Sequence, residues 1–300
     1  MNTKINFAGI EFKNPVMTAS GTFGSGMEFS EFVDLNKLGG VVTKGVAITP
    51  WEGNPTPRIA ETASGMLNAI GLQNPGLDLF MKRDLPFLEK YDTRIVVNVC
   101  GHSEEEYVAA VERLRDSNAD LLEINISCPN VKHGGIAFGT NPVMIEKITK
   151  SLKKVAGQPV VMKLSPNVTD ITEMARAAEA GGADGISLIN TITGMKIDVN
   201  RRSFALANKT GGLSGPCIKP VAVRMVYQCA QAVKIPIIGM GGIASAYDAL
   251  EFIMAGASLV SVGTANFNDP AVTAKVVDGI EDFMKRNNVE DINELIGCVK

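Results

Sequence analysis

Eight short apolar runs, spaced along the whole chain, constrain its fold more than any other feature. They are PVMTAS (15–20), GVVTKG (40–45), RIVVNV (94–99), LLEINIS (121–127), VVMKLS (160–165), GISLIN (185–190), PIIGMG (236–241) and LVSVGT (259–264). Runs this short, rich in Val and Ile, read as strands buried on both faces. Helical patterns lie between them at 103–117, 141–156, 170–182 and 246–257. Ser103 with Glu106, and Asp170 with Glu173, are start signals for two of these helices. Gly181–Gly182 and Gly256 suit their ends. Strands that alternate with helices pair in parallel through right-handed crossovers. Eight such units in 300 residues predict one domain over 1–300, a closed (β/α)8 TIM barrel; a doubly wound sheet is the alternative.

Three connections, 46–77, 128–141 and 191–215, are too long for turns and rich in Gly, Pro and Asn. All follow strands, so in a barrel they sit on the C-terminal, catalytic face. A net charge of −3 advertises no surface for nucleic acid or anionic lipid. No apolar run has membrane-spanning length, and the start MNTKINFAGIEF has no secretory pattern, so a cytoplasmic location is expected. Five cysteines without a C-x-x-C pair, and only His102 and His133, argue against a zinc site or iron–sulfur cluster in this chain.

The expected strands are apolar early and polar late. Ser20, Lys44, Asn98, Asn125, Ser127, Lys163, Ser165 and Asn190 fall at or near C-terminal ends. Solvated strand ends account for the serines. They account less well for Lys44 and Lys163, because an unpaired ammonium among apolar neighbours is costly and an anionic ligand would relieve that cost. GMGGIAS (239–245) and VGTANF (262–267) follow strands seven and eight, where barrels build phosphate sites from backbone N–H groups. Gly239-x-Gly241-x-x-Ala244 also matches a dinucleotide fingerprint. That reading is rejected, because the next strand lacks the acidic residue the fingerprint requires.

A lone cysteine is more often a small core residue than a catalyst. Cys128 stands out because it follows strand four among Asn125, Ser127 and Asn130 on the catalytic face, where a thiolate can act as nucleophile or base. Cys100, at the end of strand three, is its rival.

ASGTFG (19–24), TKG (43–45), EGNPTPRI (52–59), NAIGLQNPG (68–76), NISCPN (125–130), MKLSPN (162–167), INT (189–191), NKTGGLSGP (208–216), GMGGI (239–243) and VGTANF (262–267) resemble class 1 dihydroorotate dehydrogenases, in order over essentially the whole chain. GTFG, GIAFGTNP and NKTGGLSGP point to class 1B, the NAD-linked catalytic subunit, rather than the fumarate-linked class 1A. The resemblance implies FMN-dependent oxidation of (S)-dihydroorotate to orotate in pyrimidine biosynthesis, with Cys128 as the base. It implies that Ser20, Lys44, Gly45, Asn98, Asn125, Lys163 and Ile189 hold the flavin ring and ribityl chain. Gly215, Gly241, Gly242, Gly263 and Thr264 would hold the phosphate region. Lys44, Asn68, Ala69, Ile70, Gly71, Leu72, Asn125, Asn130, Asn190 and Thr191 would bind the pyrimidine. It also implies a partner subunit carrying FAD and a 2Fe-2S cluster, two copies of each chain forming a hetero-oligomer. Rival readings are a related dihydropyrimidine dehydrogenase and a Schiff-base aldolase using Lys44 or Lys163.

Overall fold

The structure, a computed structural model, describes residues 1–126 and 138–299. Eight parallel strands close into a barrel: β1 (Val16–Thr18), β2 (Gly40–Val42), β3 (Arg94–Val99), β4 (Leu121–Asn125), β5 (Val160–Lys163), β6 (Gly185–Leu188), β7 (Ile237–Met240) and β8 (Leu259–Val262). Each pairs with its sequence neighbours, and β8 returns to β1 through Val260↔Val16 and Val262↔Thr18. All eight expected runs form these strands. Their aliphatic residues, such as Val41, Val97, Leu122, Val161, Ile186, Ile238 and Val260, are almost wholly shielded from solvent. Each contributes about 1.5–3 kcal/mol through burial.

The outer helices include α1 (Glu104–Leu114), α2 (Pro142–Val155), α3 (Ile171–Ala180), α4 (Lys219–Ala232), α5 (Ala246–Met254) and α6 (Val272–Asn287). In α1, Tyr107, Ala110, Val111 and Leu114 are buried, at the i, i+3, i+4, i+7 spacing of a core-facing stripe. Ser103 caps it by accepting from the Glu106 N–H. The Glu106 carboxylate accepts from the N–H of His102 rather than that of Ser103, so the expected reciprocal box closes one residue early. Asp170 caps α3 through the N–H of Thr172, and Gly182, with φ near +89°, turns the chain out of it.

Two features were not foreseen. An N-terminal hairpin pairs Ile5–Phe7 with Ile10–Phe12 around Ala8 and Gly9, both at positive φ. Its Phe7 and Phe12 pack edge to face with centroids 6.4 Å apart. A Cβ on Gly185, at the start of β6, would lie 2.7 Å from the Phe7 ring, so the hairpin packs against the N-terminal mouth of the barrel. The connections 46–77 and 191–215 contribute a four-stranded antiparallel sheet, ordered Ile192–Met195, Thr210–Ser214, Gly65–Asn68 and Ile59–Thr62. Its strands are short and Gly-rich, and Asn68 meets Gly212 across 144 positions of sequence, which no local pattern reveals. Most of the third connection lies outside the described residues. No helix among the described residues is long and apolar enough to cross a membrane.

Candidate active site at the C-terminal face of the barrel

Parallel strands put all their C-terminal ends on one face, so the polar late residues of different strands converge there. They line a cavity of about 1170 Å³, somewhat larger than most small-molecule sites. Ser20, Lys44, Gly45, Asn98, Asn125, Lys163, Ile189, Asn190 and Thr191 line it at the strand ends. Asn68, Ala69, Ile70, Gly71 and Leu72 join from the antiparallel sheet and the loop after it. Gly215, Gly241, Gly242, Gly263 and Thr264 complete it. Cys128 and Asn130 lie outside the described residues.

The two lysines differ. Lys163 Nζ sits 3.2 Å from Glu123 Oε2 and 3.2 Å from Ser20 Oγ, with its side chain only 5% exposed. The expected anionic ligand is therefore not needed to relieve the burial of Lys163: a carboxylate inside the barrel already does so. Lys44 has no carboxylate within ion-pair distance among the described residues. Burial pushes its ammonium below the usual lysine value of 10.5; nearby Cys100 opposes that shift and Arg58 adds to it. The expectation of an anion thus stands for Lys44 alone.

The glycines also divide. Gly215, Gly241 and Gly242 have φ of +102°, +126° and +85°, a region L side chains rarely adopt. A Cβ on Gly242 would lie 2.8 Å from Lys219 Cβ and 2.9 Å from the Gly215 carbonyl oxygen. Only glycine lets these two loops close on each other and present bare backbone. Gly263 has no positive φ, and nothing lies within 3.4 Å of its notional Cβ. Thr264, at the start of the turn Thr264–Phe267, donates to or accepts from Ser214 Oγ at 2.8 Å.

The pyrimidine-binding candidates are held by backbone contacts. Asn54 Nδ2 donates to the Ala69 carbonyl at 3.0 Å, and the Asn54 N–H donates to that of Ile70. Buried Asn74 donates to the Leu72 carbonyl at 2.9 Å and accepts from the N–H groups of Ala47 and Gly76. Asn167 Nδ2 donates to the Thr191 carbonyl at 3.0 Å. The buried Tyr107 hydroxyl donates to the Asn125 carbonyl at 2.6 Å. Sequence reasoning missed the supporting residues Asn54, Asn167, Ser214 and Glu123. For Glu123 a signal existed, a lone acid in the apolar run LLEIN.

The residues present fit an FMN group on three grounds. Three glycines form a side-chain-free cradle beside α4; among the described residues Lys44 offers a cation with no carboxylate in ion-pair reach, and buried Asn98 Oδ1 has no hydrogen-bond partner. Among those residues no cluster of His, Cys, Asp or Glu is disposed to hold a metal ion.

A family model described as dihydroorotate dehydrogenase matches residues 2–284. The chain belongs to the dihydroorotate dehydrogenase family. A relative from Lachnoclostridium phytofermentans, named dihydroorotate dehydrogenase B (NAD(+)), catalytic subunit, is 69% identical over 300 residues, all of both chains. One of the same name from Alkaliphilus oremlandii is 63% identical over 99% of this chain and 98% of its own. A crystal structure of DHODH from Eimeria tenella, in complex with ferulenol, superposes with a TM-score of 0.82 at 25% identity, covering 99% of this chain and 88% of that one. The barrel is thus shared with a dihydroorotate dehydrogenase of much lower sequence identity.

Proposed function

We propose that this chain is the catalytic subunit of an NAD-linked dihydroorotate dehydrogenase, one FMN-binding domain that oxidises (S)-dihydroorotate to orotate in pyrimidine biosynthesis. The observation that carries the reading is full-length identity of 69% to a relative named for that role. The convergence of Lys44, Asn68, Asn125, Asn190 and Thr191 on one cavity supports it. FMN would be held by Ser20, Lys44, Gly45, Asn98, Asn125, Lys163 and Ile189 at its ring and ribityl chain. Gly215, Gly241, Gly242, Gly263 and Thr264 would hold its phosphate through backbone N–H groups and a hydroxyl.

Oxidation removes a proton from C5 and a hydride from C6 of the dihydropyrimidine. Bound FMN supplies the hydride acceptor. Cys128 Sγ takes the C5 proton as general base. Lys44 binds the substrate carboxylate, and Asn68, Asn125, Asn130 and Asn190 match donors and acceptors to the amide edges of the ring. Thr191 and the backbone from Ala69 to Leu72 enclose it. The electrons pass to NAD⁺, yielding orotate, NADH and a proton overall. "Catalytic subunit" in the relatives' names supports a partner. We assign that partner FAD and a 2Fe-2S cluster, in a cytoplasmic assembly with two copies of each chain.

The test is an absorbance spectrum of the purified chain, followed by anaerobic addition of dihydroorotate. A yellow protein that releases FMN on denaturation and bleaches with dihydroorotate is expected. Flavin-free protein from cofactor-replete cells, or a flavin that dihydrouracil reduces as fast as dihydroorotate, would refute the reading.

A further inference from the structure

At the floor of the cavity, Asn98 and Lys163 belong to a polar cluster whose other members, Glu123 and Ser187, lie in the barrel interior and do not line the cavity. Glu123, on β4, is wholly buried, as are Asn98 on β3 and Ser187 on β6. Its Oε2 accepts from Asn98 Nδ2 at 2.6 Å and from Lys163 Nζ at 3.2 Å, and its Oε1 accepts from Ser187 Oγ at 2.8 Å. A carboxylate has no donor to offer, so Asn98 must turn its NH₂ toward Glu123. Its carbonyl Oδ1 is thereby forced the other way, beside Gly45, where a Cβ would lie only 2.7 Å from it. That oxygen is buried and has no partner among the described residues.

We propose that Glu123 is a positioning residue that sets the hydrogen-bond polarity and the charge of the floor of the site. It acts through its neighbours. By taking the Asn98 NH₂ it makes Asn98 present an acceptor, which selects a donor N–H on the ligand. By pairing with Lys163 it cancels most of that ammonium's charge while holding it against Ser20. The floor beneath a bound flavin is therefore close to neutral, and the reduced, more negative flavin is stabilised less than a lone lysine would allow. This deepens the FMN reading above and rests on it.

The test uses FMN-loaded protein, comparing wild type with Glu123→Gln and with the double variant Asn98→Asp/Glu123→Gln. Glu123→Gln keeps the shape, removes the buried negative charge and lets the Asn98 amide face either way. Its flavin midpoint potential, read by anaerobic spectroelectrochemical titration, should shift upward by about tenfold in favour of the reduced form, about 30 mV for a two-electron couple. FMN release, followed by fluorescence, should speed up by about tenfold, the loss of about one hydrogen bond. The double variant returns one carboxylate to the cluster and a donor–acceptor contact of reversed sense, with an acceptor still beside Gly45. It should recover most of both quantities. A Glu123→Gln protein with wild-type potential and FMN retention overturns the proposal. So does a double variant as far displaced as the single one. Should Glu123→Gln not fold, the double variant decides alone: a folded protein with near wild-type potential supports the proposal, and a failure to fold or a large shift defeats it. Wild-type protein that takes up no FMN defeats instead the reading of the cavity.

Discussion

Replacing Lys44 with methionine should separate the cost of its buried charge from the use of that charge. The side chain is partly buried at the end of β2, without a carboxylate partner among the described residues, and burial lowers its pKa from 10.5. Methionine has similar length and flexibility, so packing is largely kept. In flavin-free, substrate-free protein the change removes a partly buried cation that has no carboxylate partner among the described residues, which is worth about 1 kcal/mol. The melting temperature should therefore hold or rise, by roughly 2 °C per kcal/mol for a chain of this size. Substrate binding should move the other way. A charge-assisted hydrogen bond to a carboxylate contributes about 1.5–3 kcal/mol, so KM for dihydroorotate should rise roughly 10- to 100-fold, measured with a dye acceptor at saturating FMN. The pH dependence gives an independent check. Between the lowered folded value and 10.5 the unfolded chain binds the extra proton, so wild-type stability should rise with pH through that window. The methionine variant should lack that rise. Dihydroorotate binding by wild type should weaken over the same window as Lys44 loses its proton. A lower melting temperature with unchanged KM would refute the reasoning, since Lys44 would then be a structural residue whose charge is satisfied.

Gly242→Ala should weaken FMN retention by about tenfold or more, because φ of +85° costs a side chain about 1–2 kcal/mol and its Cβ would meet the Gly215 carbonyl; equilibrium dialysis of FMN measures it, and unchanged retention would remove the glycine cradle from the phosphate site. Cys128→Ala should keep FMN yet slow its reduction by dihydroorotate roughly 10²–10⁴-fold in stopped flow, whereas near-normal rates would move the base elsewhere, with Cys100 the first candidate. Phe7→Ala should destabilise the protein by about 3–5 kcal/mol in urea while the activity of the folded fraction stays intact, since Phe7 packs at the far mouth of the barrel. Alkylation of native protein should label exposed Cys217 and Cys298 and spare Cys229, whose thiol burial pushes up to about 12; mass spectrometry of the labelled peptides decides it. The isolated chain should pass electrons to dyes but form NADH only when the partner subunit is added, and rapid fumarate reduction would point to the other class.

The barrel was legible because its code is local. Short aliphatic runs, capped amphipathic helices and a period of strand then helix leave few topologies for parallel strands. The cavity floor was legible for the same reason: strand ends converge in any such barrel, so Lys44, Asn98, Asn125 and Lys163 were bound to meet. Tertiary structure alone decided what those residues do to one another. Nothing in the spacing of Asn98, Lys163 and Ser187 says that three strands aim them at the Glu123 carboxylate, because inward or outward orientation depends on register around a closed ring. The sheet that joins Gly65–Asn68 to Thr210–Ser214 was likewise invisible, since its pairing partners are far apart in sequence and their glycines carry no alternating pattern. Sequence alone determined which chemical groups reach the catalytic face. Closure of the barrel determined their partners, because a buried charge is defined by the groups that surround it rather than by its neighbours along the chain.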